Sequence, residues 1–359
     1  MSQNGEPTKI TLTQQSELEI PRWEEYQKAK TGTPKEIAAG FRWATHFAEI
    51  PQVKQDIADF LARHLNFPFS AETLTQIVSS GYQLLEEVWQ ALFPHQNPLP
   101  YHNLDHGKNT GITTLELFLG AIVHHQLYDL PNLETLTHTF FIVGLLHEID
   151  DWWNLEAVQQ TKGYDLEKAK NLISDYLSQH ELSTHDFNRF LKLNQFALSP
   201  EKSIAQAKAL SPEEGFLPQN EISSAIDALE TNQQELLWRI LENCLGATDF
   251  LQIINPAYTQ PAEIIIEENR LSKICGPVTL AVEMERVRPG ALTNLGWATK
   301  ERGVNWEKVG VGKSFWENLA LPRINAGIDY LRIFSPVKSQ RVEKCLKILP
   351  IRNYFYLSL

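Results

Sequence analysis

Four imidazole or acidic side chains follow one another closely at the end of an apolar run. The segment FFIVGLLHEIDDWW, residues 140–153, ends its apolar part at His147, and Glu148, Asp150 and Asp151 come directly after it. Burying one unpaired charge is costly, and burying several requires something positive among them. Imidazole and carboxylate groups are ligands of divalent ions such as Zn, Mn, Fe and Mg. The segment therefore indicates a metal site.

Two further segments carry groups of the same kind. YHNLDHG, residues 101–107, has His102 and His106 four residues apart, so that both rings lie on one face of a helical turn. GATDF, residues 246–250, places Asp249 inside an apolar helical stretch, where a carboxylate needs a partner. Taken alone, a histidine pair is common on surfaces or in cores, and Asp249 could bond an arginine or a helix end. Together the three segments supply metal ligands from separate helices, as in helical-bundle metal sites.

The order of these segments resembles that of the HD-domain phosphohydrolase superfamily, and within it the class I cyclic-nucleotide phosphodiesterases. Those enzymes carry a Tyr-His-Asn-x-x-His element, then a His-Asp pair at the end of an apolar helix, then a lone Asp. In this chain the matching residues are Tyr101, His102, Asn103 and His106, then His147 with Glu148, then Asp249. The resemblance covers roughly residues 90–255.

The resemblance implies an all-α, HD-domain-like helical bundle that binds one or two divalent ions (Mn, Mg, Zn or Fe). It implies that His106, His147 and Asp249 are metal ligands and that His102 donates a proton to the leaving oxygen. Glu148 would be the carboxylate nearest the metals. The substrate would be a nucleotide or another small phosphoester, because no counterpart of the glutamine-and-aromatic purine clamp of those enzymes is evident. Asp105 could orient one of the rings, or could be an exposed polar residue.

One departure from the family leaves two alternatives open. Glu148 stands where the family has Asp, and its side chain is one methylene longer. The chain could be an HD scaffold that lost turnover and serves in binding or regulation. It could also be an HD-type di-iron oxygenase, which requires His180 or His185 near the metals. The polar surroundings of these two histidines favour exposed loop positions.

Other sequence features carry less chemistry. VGVGKS, residues 309–314, lacks the first glycine of a phosphate-binding loop, because position 307 is Glu. Arg286, Arg288 and Lys300 could meet a phosphate but are expected to be solvated. The three cysteines are scattered, which argues against a disulfide framework or a thiolate metal site.

Composition narrows the possible partners. Net charge is −12 and pI is about 5.4, so general nucleic-acid binding through a basic surface is not expected. The polar first residues lack a signal-peptide pattern, and no apolar run reaches the length of a membrane span. We therefore expect a cytoplasmic protein without a membrane segment.

Apolar residues recur at helical spacing along most of the chain, which predicts one all-α domain over residues 36–359 after a polar tail, 1–35. A polar, proline-containing stretch near 199–220 predicts a surface insertion. The strongest strand pattern, EIIIE at 263–267, suits a helix equally well. The helices are predicted at about 71–93, 106–128, 132–150, 165–180, 184–198 and 224–254.

Overall fold

The structure is a computed structural model that describes residues 50–95, 104–149, 159, 162–194, 200–210, 221–254 and 321–348. Of these residues 81% are helical and none forms a strand, which confirms the all-α prediction. The predicted tail 1–35 and the EIIIE segment lie outside the described residues. No helix in the described part is both long and apolar enough to cross a membrane. In chain order the helices are α1 (Ile50–Arg63), α2 (Ala71–Leu92), α3 (Leu104–His125), α4 (Leu133–Leu145), α5 (Leu166–Gln179), α6 (Thr184–Leu193), α7 (Pro200–Ala209), α8 (Ile222–Asp227), α9 (Thr231–Ile254), α10 (Leu321–Phe334) and α11 (Pro336–Ile348).

Helices α3 and α4 form the centre of the bundle. Most residues of both helices are buried. Helix α4 is apolar around most of its circumference, as expected of a buried helix, whereas α3 also buries several polar residues. Helices α2, α9 and α10 pack around α3, while α2 and α6 also contact α4. At Gly120 of α3 a side chain would meet the backbone of Tyr330 in α10, so only glycine permits this close approach. The carboxy-terminal half of α3, where Leu117 to Ile122 are fully buried, therefore lies deep in the core.

Local sequence signals explain where several helices begin. Ser70, Asp165 and Ser183 precede α2, α5 and α6, and each side chain accepts a hydrogen bond from a backbone N–H in the first turn. Such caps satisfy amide groups that have no partner within the helix. These boundaries agree with the helical periodicity of the sequence.

The polar stretch near 199–220 differs from its prediction in its first half. Residues Pro200–Ala209 form α7, and Ser203, Ile204 and Ala207 are buried. The carbonyl of Ala207 accepts a hydrogen bond of 2.8 Å from the buried guanidinium of Arg189 in α6. A charged and proline-containing sequence here folds as a packed helix because its few apolar residues share one face. Residues 211–220 lie outside the described part.

A hydrogen-bonded network in the core joins α2, α4 and α5. His138 Nε2 lies 2.7 Å from the hydroxyl of Tyr176, and that hydroxyl lies 2.7 Å from the hydroxyl of Ser80. His138 is 8% exposed, and the ring of His180 lies against it with centroids 5.0 Å apart. Burial, and then the neighbouring His180, lower the pKa of His138 to about 3. The imidazole of His138 is therefore neutral at neutral pH.

This network predicts part of the acid sensitivity of the fold. In the unfolded chain a histidine has a pKa near 6.5, so between about pH 6.5 and pH 3 the unfolded state binds the extra proton. The stability that His138 contributes is complete above pH 6.5 and is lost as pH falls, by up to about 1.4 kcal/mol per pH unit. We expect urea unfolding of His138→Phe to show a shallower acid decline than wild type. His124→Asn, at an exposed site, is the control, and equal slopes for all three proteins would contradict the prediction.

Candidate metal centre

Three of the residues that the sequence singled out come together in the core. His106, His147 and Glu148 each offer a ligand atom, and these atoms lie within 4.8 Å of one another. The residues are 9%, 9% and 7% exposed, so the cluster is largely buried. It is the group of His, Cys, Asp and Glu within the described residues whose spacing suits a metal ion.

Close packing of α3 on α4 assembles this cluster. His106 lies in the first turn of α3, and α4 ends at Leu145. A side chain at Gly107 would lie 3.1 Å from the carbonyl oxygen of Leu145, and one at Gly111 would overlap the Leu145 side chain. The two glycines are four residues apart and lie on one face of α3, where they leave room for the end of α4. His106 thereby comes next to the residues that follow α4.

His147 and Glu148 lie in a turn after α4, although the sequence predicts that the helix continues to about residue 150. Leu146 caps the carboxyl end of α4, and its N–H donates a hydrogen bond to the carbonyl of Ile142. The N–H of Ile149 then bonds the carbonyl of Leu146 at 2.9 Å, which closes the turn. Successive side chains of a helix point about 100° apart around its axis, and a turn can bring them closer to one direction.

The hydrogen bonds of His147 define the protonation of its ring. Nδ1 lies 2.9 Å from the carbonyl oxygen of Gly144, which can only accept, so Nδ1 carries a proton. Nε2 lies 3.2 Å from a carboxylate oxygen of Glu148. A neutral ring would face an ionised carboxylate with a lone pair, which is unfavourable. A proton on His147, a proton on Glu148 or a bound metal ion would each remove this repulsion.

Ring geometry agrees with a shared ion. The ring centroids of His106 and His147 are 5.3 Å apart. Two imidazoles that bind one ion through nitrogens at about 2.1 Å, at a tetrahedral angle, have centroids about 5 Å apart. The ligand atoms of the three residues lie within 4.8 Å of one another, whereas two ligands of one tetrahedral ion lie closer together. Small rotations of the side chains would therefore be needed to close the cluster around an ion. Two imidazoles and one carboxylate form a donor set typical of Zn, Mn or Fe.

The charge of the site depends on Glu148. The carbonyl end of α4 favours a cation, whereas the amino end of α3 disfavours one. The electrostatic effects of these two helix ends oppose each other, so the buried carboxylate of Glu148 gives the site its negative character. Asp105, in the same turn of α3 as His106, is half-buried, and burial raises its pKa while Lys108 opposes that shift.

The other predicted site residues are described less completely. His102, Asp150 and Asp151 lie outside the described residues, as do Arg286, Arg288, Lys300 and the VGVGKS segment. Asp249 belongs to α9, but only its backbone is described. Its neighbour Thr248 bonds the hydroxyl of Thr114 in α3 at 3.0 Å, so the α9 backbone at Asp249 lies beside the helix that carries His106.

The two histidines that a di-iron oxygenase would require do not join the cluster. His180 is partly buried and contacts the rings of His138 and Tyr176. His185 is 5% exposed, and its Nε2 lies 3.3 Å from the carbonyl of Leu210. The prediction of an exposed position is therefore wrong for His185, which packs beneath α7.

Sequence reasoning missed several buried polar residues on the helices around the cluster. Asn109 and Thr113 lie one and two turns after His106 on the same face of α3, and they are 9% and 8% exposed. Thr114 and Thr248 are buried between helices. The available signal was the run of polar residues within α3, a helix whose other positions are apolar.

Comparison with known proteins leaves the site to be interpreted from its own chemistry. The chain matches no family model, no curated protein and no solved structure.

Proposed function

We propose that this chain is a metal-dependent phosphohydrolase that acts on a nucleotide or another small phosphoester. The observation that supports this most is the buried His106–His147–Glu148 cluster, because buried imidazoles around a carboxylate are typical of a catalytic metal site. The cluster joins residues from two of the three segments that resemble HD-domain phosphohydrolases. The third segment lies on α9, which packs against α3.

A metal ion in the cluster would activate water and the substrate. A bound divalent ion would lower the pKa of a water molecule and polarise a phosphoryl oxygen. His106, His147 and Glu148 would hold the ion, with Asp249 as a further ligand. The proton that His147 donates to Gly144 leaves Nε2 free of a proton for binding.

Another residue would act on the substrate. His102 is proposed to donate a proton to the leaving oxygen, a role that suits an imidazole with a pKa near neutrality. The chain has a net charge of −12, so the metal would also attract an anionic substrate to an otherwise acidic protein.

The test is hydrolysis by the full-length chain after chelation and reloading with Mn²⁺, Mg²⁺, Zn²⁺ or, without oxygen, Fe²⁺. We expect metal-dependent release of nitrophenol from bis(4-nitrophenyl) phosphate, or of phosphate or nucleoside from a panel of nucleotides. His106→Ala should abolish this activity, whereas His124→Ala, on the exposed end of the same helix, should not. A metal-loaded protein that hydrolyses no phosphoester would refute the proposal.

Glu148 supports a second candidate, a scaffold that binds metal or ligand without turnover. Its carboxylate lies 3.2 Å from His147, and its side chain is longer than the aspartate of the HD-domain enzymes that the sequence resembles. Glu148→Asp distinguishes the two candidates. A silent wild type whose Glu148→Asp variant gains hydrolysis favours the binding scaffold, and an active wild type favours the enzyme.

A further inference from the structure

A pair of buried threonines connects the helices that carry the metal-site residues. Thr114 of α3 and Thr248 of α9 are 0% and 2% exposed, and their hydroxyl oxygens are 3.0 Å apart. The Thr248 hydroxyl also donates to the carbonyl of Cys244 at 2.7 Å, which uses its one proton. Thr114 must therefore be the donor in the bond between the two threonines, and Thr248 the acceptor.

Thr114 also contacts α4, the helix that precedes His147 and Glu148. A side chain at Gly144 of α4 would lie 2.6 Å from the Thr114 hydroxyl oxygen, so the absence of a side chain at Gly144 makes room for Thr114. The carbonyl of the same Gly144 accepts the hydrogen bond that orients His147. Thr114 thus belongs to the helix of His106, packs on the residue that orients His147, and bonds α9.

The direction of α9 places Asp249 relative to this junction. Tyr330 lies against Gly120 and hydrogen-bonds Asn243, whereas Thr114, nearer the start of α3, bonds Thr248. Helices α3 and α9 are therefore antiparallel, and the backbone of α9 runs from Thr248 toward the His106 end of α3. The hydrogen bond between Thr114 and Thr248 fixes the position of α9 along the axis of α3, one residue before Asp249.

We propose that Thr114 and Thr248 are positioning residues of the metal centre, an inference that rests on the metal site of the proposed function. Their bond holds the Asp249 position of α9 in register with His106 and His147. This directional bond opposes sliding of α9 along α3. Loss of the bond would lower metal affinity by displacing Asp249, without removing any ligand.

The test compares metal affinity with stability in matched variants of the full-length chain. Mn²⁺ and Zn²⁺ are titrated into the metal-free protein, and urea unfolding is measured separately in EDTA. Thr114→Val keeps the shape of the side chain but removes the donor, and we expect affinity to fall about 10-fold or more. Thr114→Ser restores the hydroxyl and should recover most of that affinity. Thr137→Val is the control, since Thr137 is equally buried in α4 but bonds only the carbonyl of Leu133 in its own helix.

A double variant provides a second criterion. Thr114→Val and Thr248→Val break the same bond. The double variant should therefore bind metal about as well as whichever single variant binds it more weakly. The inference is overturned if Thr114→Val binds metal as wild type does, if Thr114→Ser is as weak as Thr114→Val, or if the two losses multiply. Failure of the wild type to bind metal would overturn the proposed function together with this inference, which distinguishes that result from the other three.

Discussion

His147→Ala is expected to weaken the binding of a divalent ion about 100-fold or more. Replacing a residue that only orients a ligand typically costs 10- to 100-fold, and removing a ligand costs more. The variant would lose the Nε2 atom that faces Glu148 and the hydrogen bond to Gly144. It would also leave the Glu148 carboxylate buried without its imidazole neighbour.

Two measurements on metal-free protein check this expectation. Isothermal titration with Zn²⁺ or Mn²⁺ gives the affinity, and the thermal unfolding midpoint with and without metal gives an independent value. Wild type should be stabilised by about 2.7 kcal/mol at a free metal concentration 100 times its Kd, and His147→Ala should gain far less at the same concentration.

His138→Ala is the matched control for this experiment. His138 is as buried as His147, lies in the preceding helix and is also hydrogen-bonded, but it belongs to the Tyr176 network. This variant should lose stability while retaining wild-type metal affinity. Equal affinities of wild type and His147→Ala would show that the cluster does not bind the ion.

The approach of His106 to His147 and Glu148 could be predicted because it depends on residue types that apolar segments rarely tolerate. A histidine and a glutamate at the end of FFIVGLL need partners, and the resemblance to HD-domain phosphohydrolases named His106 and Asp249 as those partners. The long helices could be predicted for a related reason. Their apolar periodicity persists over many residues, so single exceptions matter little.

The end of α4 could not be predicted, since no glycine or proline stops the helix between Leu145 and Asp150. The turn at Leu146–Ile149 is a tertiary effect of packing against α3 at Gly107 and Gly111. The threonine pair was equally hidden, because Thr114 and Thr248 are far apart in sequence and either could have bonded only its own helix. The core position of His185 depends on α7, which lies in a polar stretch that was predicted to be a surface insertion.

The largest expected loss of stability follows from breaking the ion pair that links α10 to α9. Arg323 bonds Glu242, and their side chains are 3% and 2% exposed. Burial lowers the pKa of Arg323 to about 10, so the guanidinium remains charged at neutral pH. Removing one member of a buried pair leaves a desolvated charge and typically costs about 3–5 kcal/mol. We expect Glu242→Ala to lower the free energy of unfolding by about that amount, out of a total of about 5–15 kcal/mol for a typical domain.

Two comparisons show whether burial of the charge causes this loss. Arg332 forms an exposed pair with Glu343 on α10 and α11, with side chains 53% and 30% exposed, and Arg332→Ala should cost at most about 1 kcal/mol. The double variant Glu242→Leu with Arg323→Met removes both charges and should recover much of the stability in urea unfolding, because apolar replacements of buried pairs are often neutral or stabilising. If Glu242→Ala costs no more than Arg332→Ala, the buried pair does not fasten α10.

Because Glu242 lies two turns before Asp249 on α9, a loose α10 would also disturb the metal centre. Glu242→Ala should therefore lose metal affinity, and the apolar double variant should regain it together with stability.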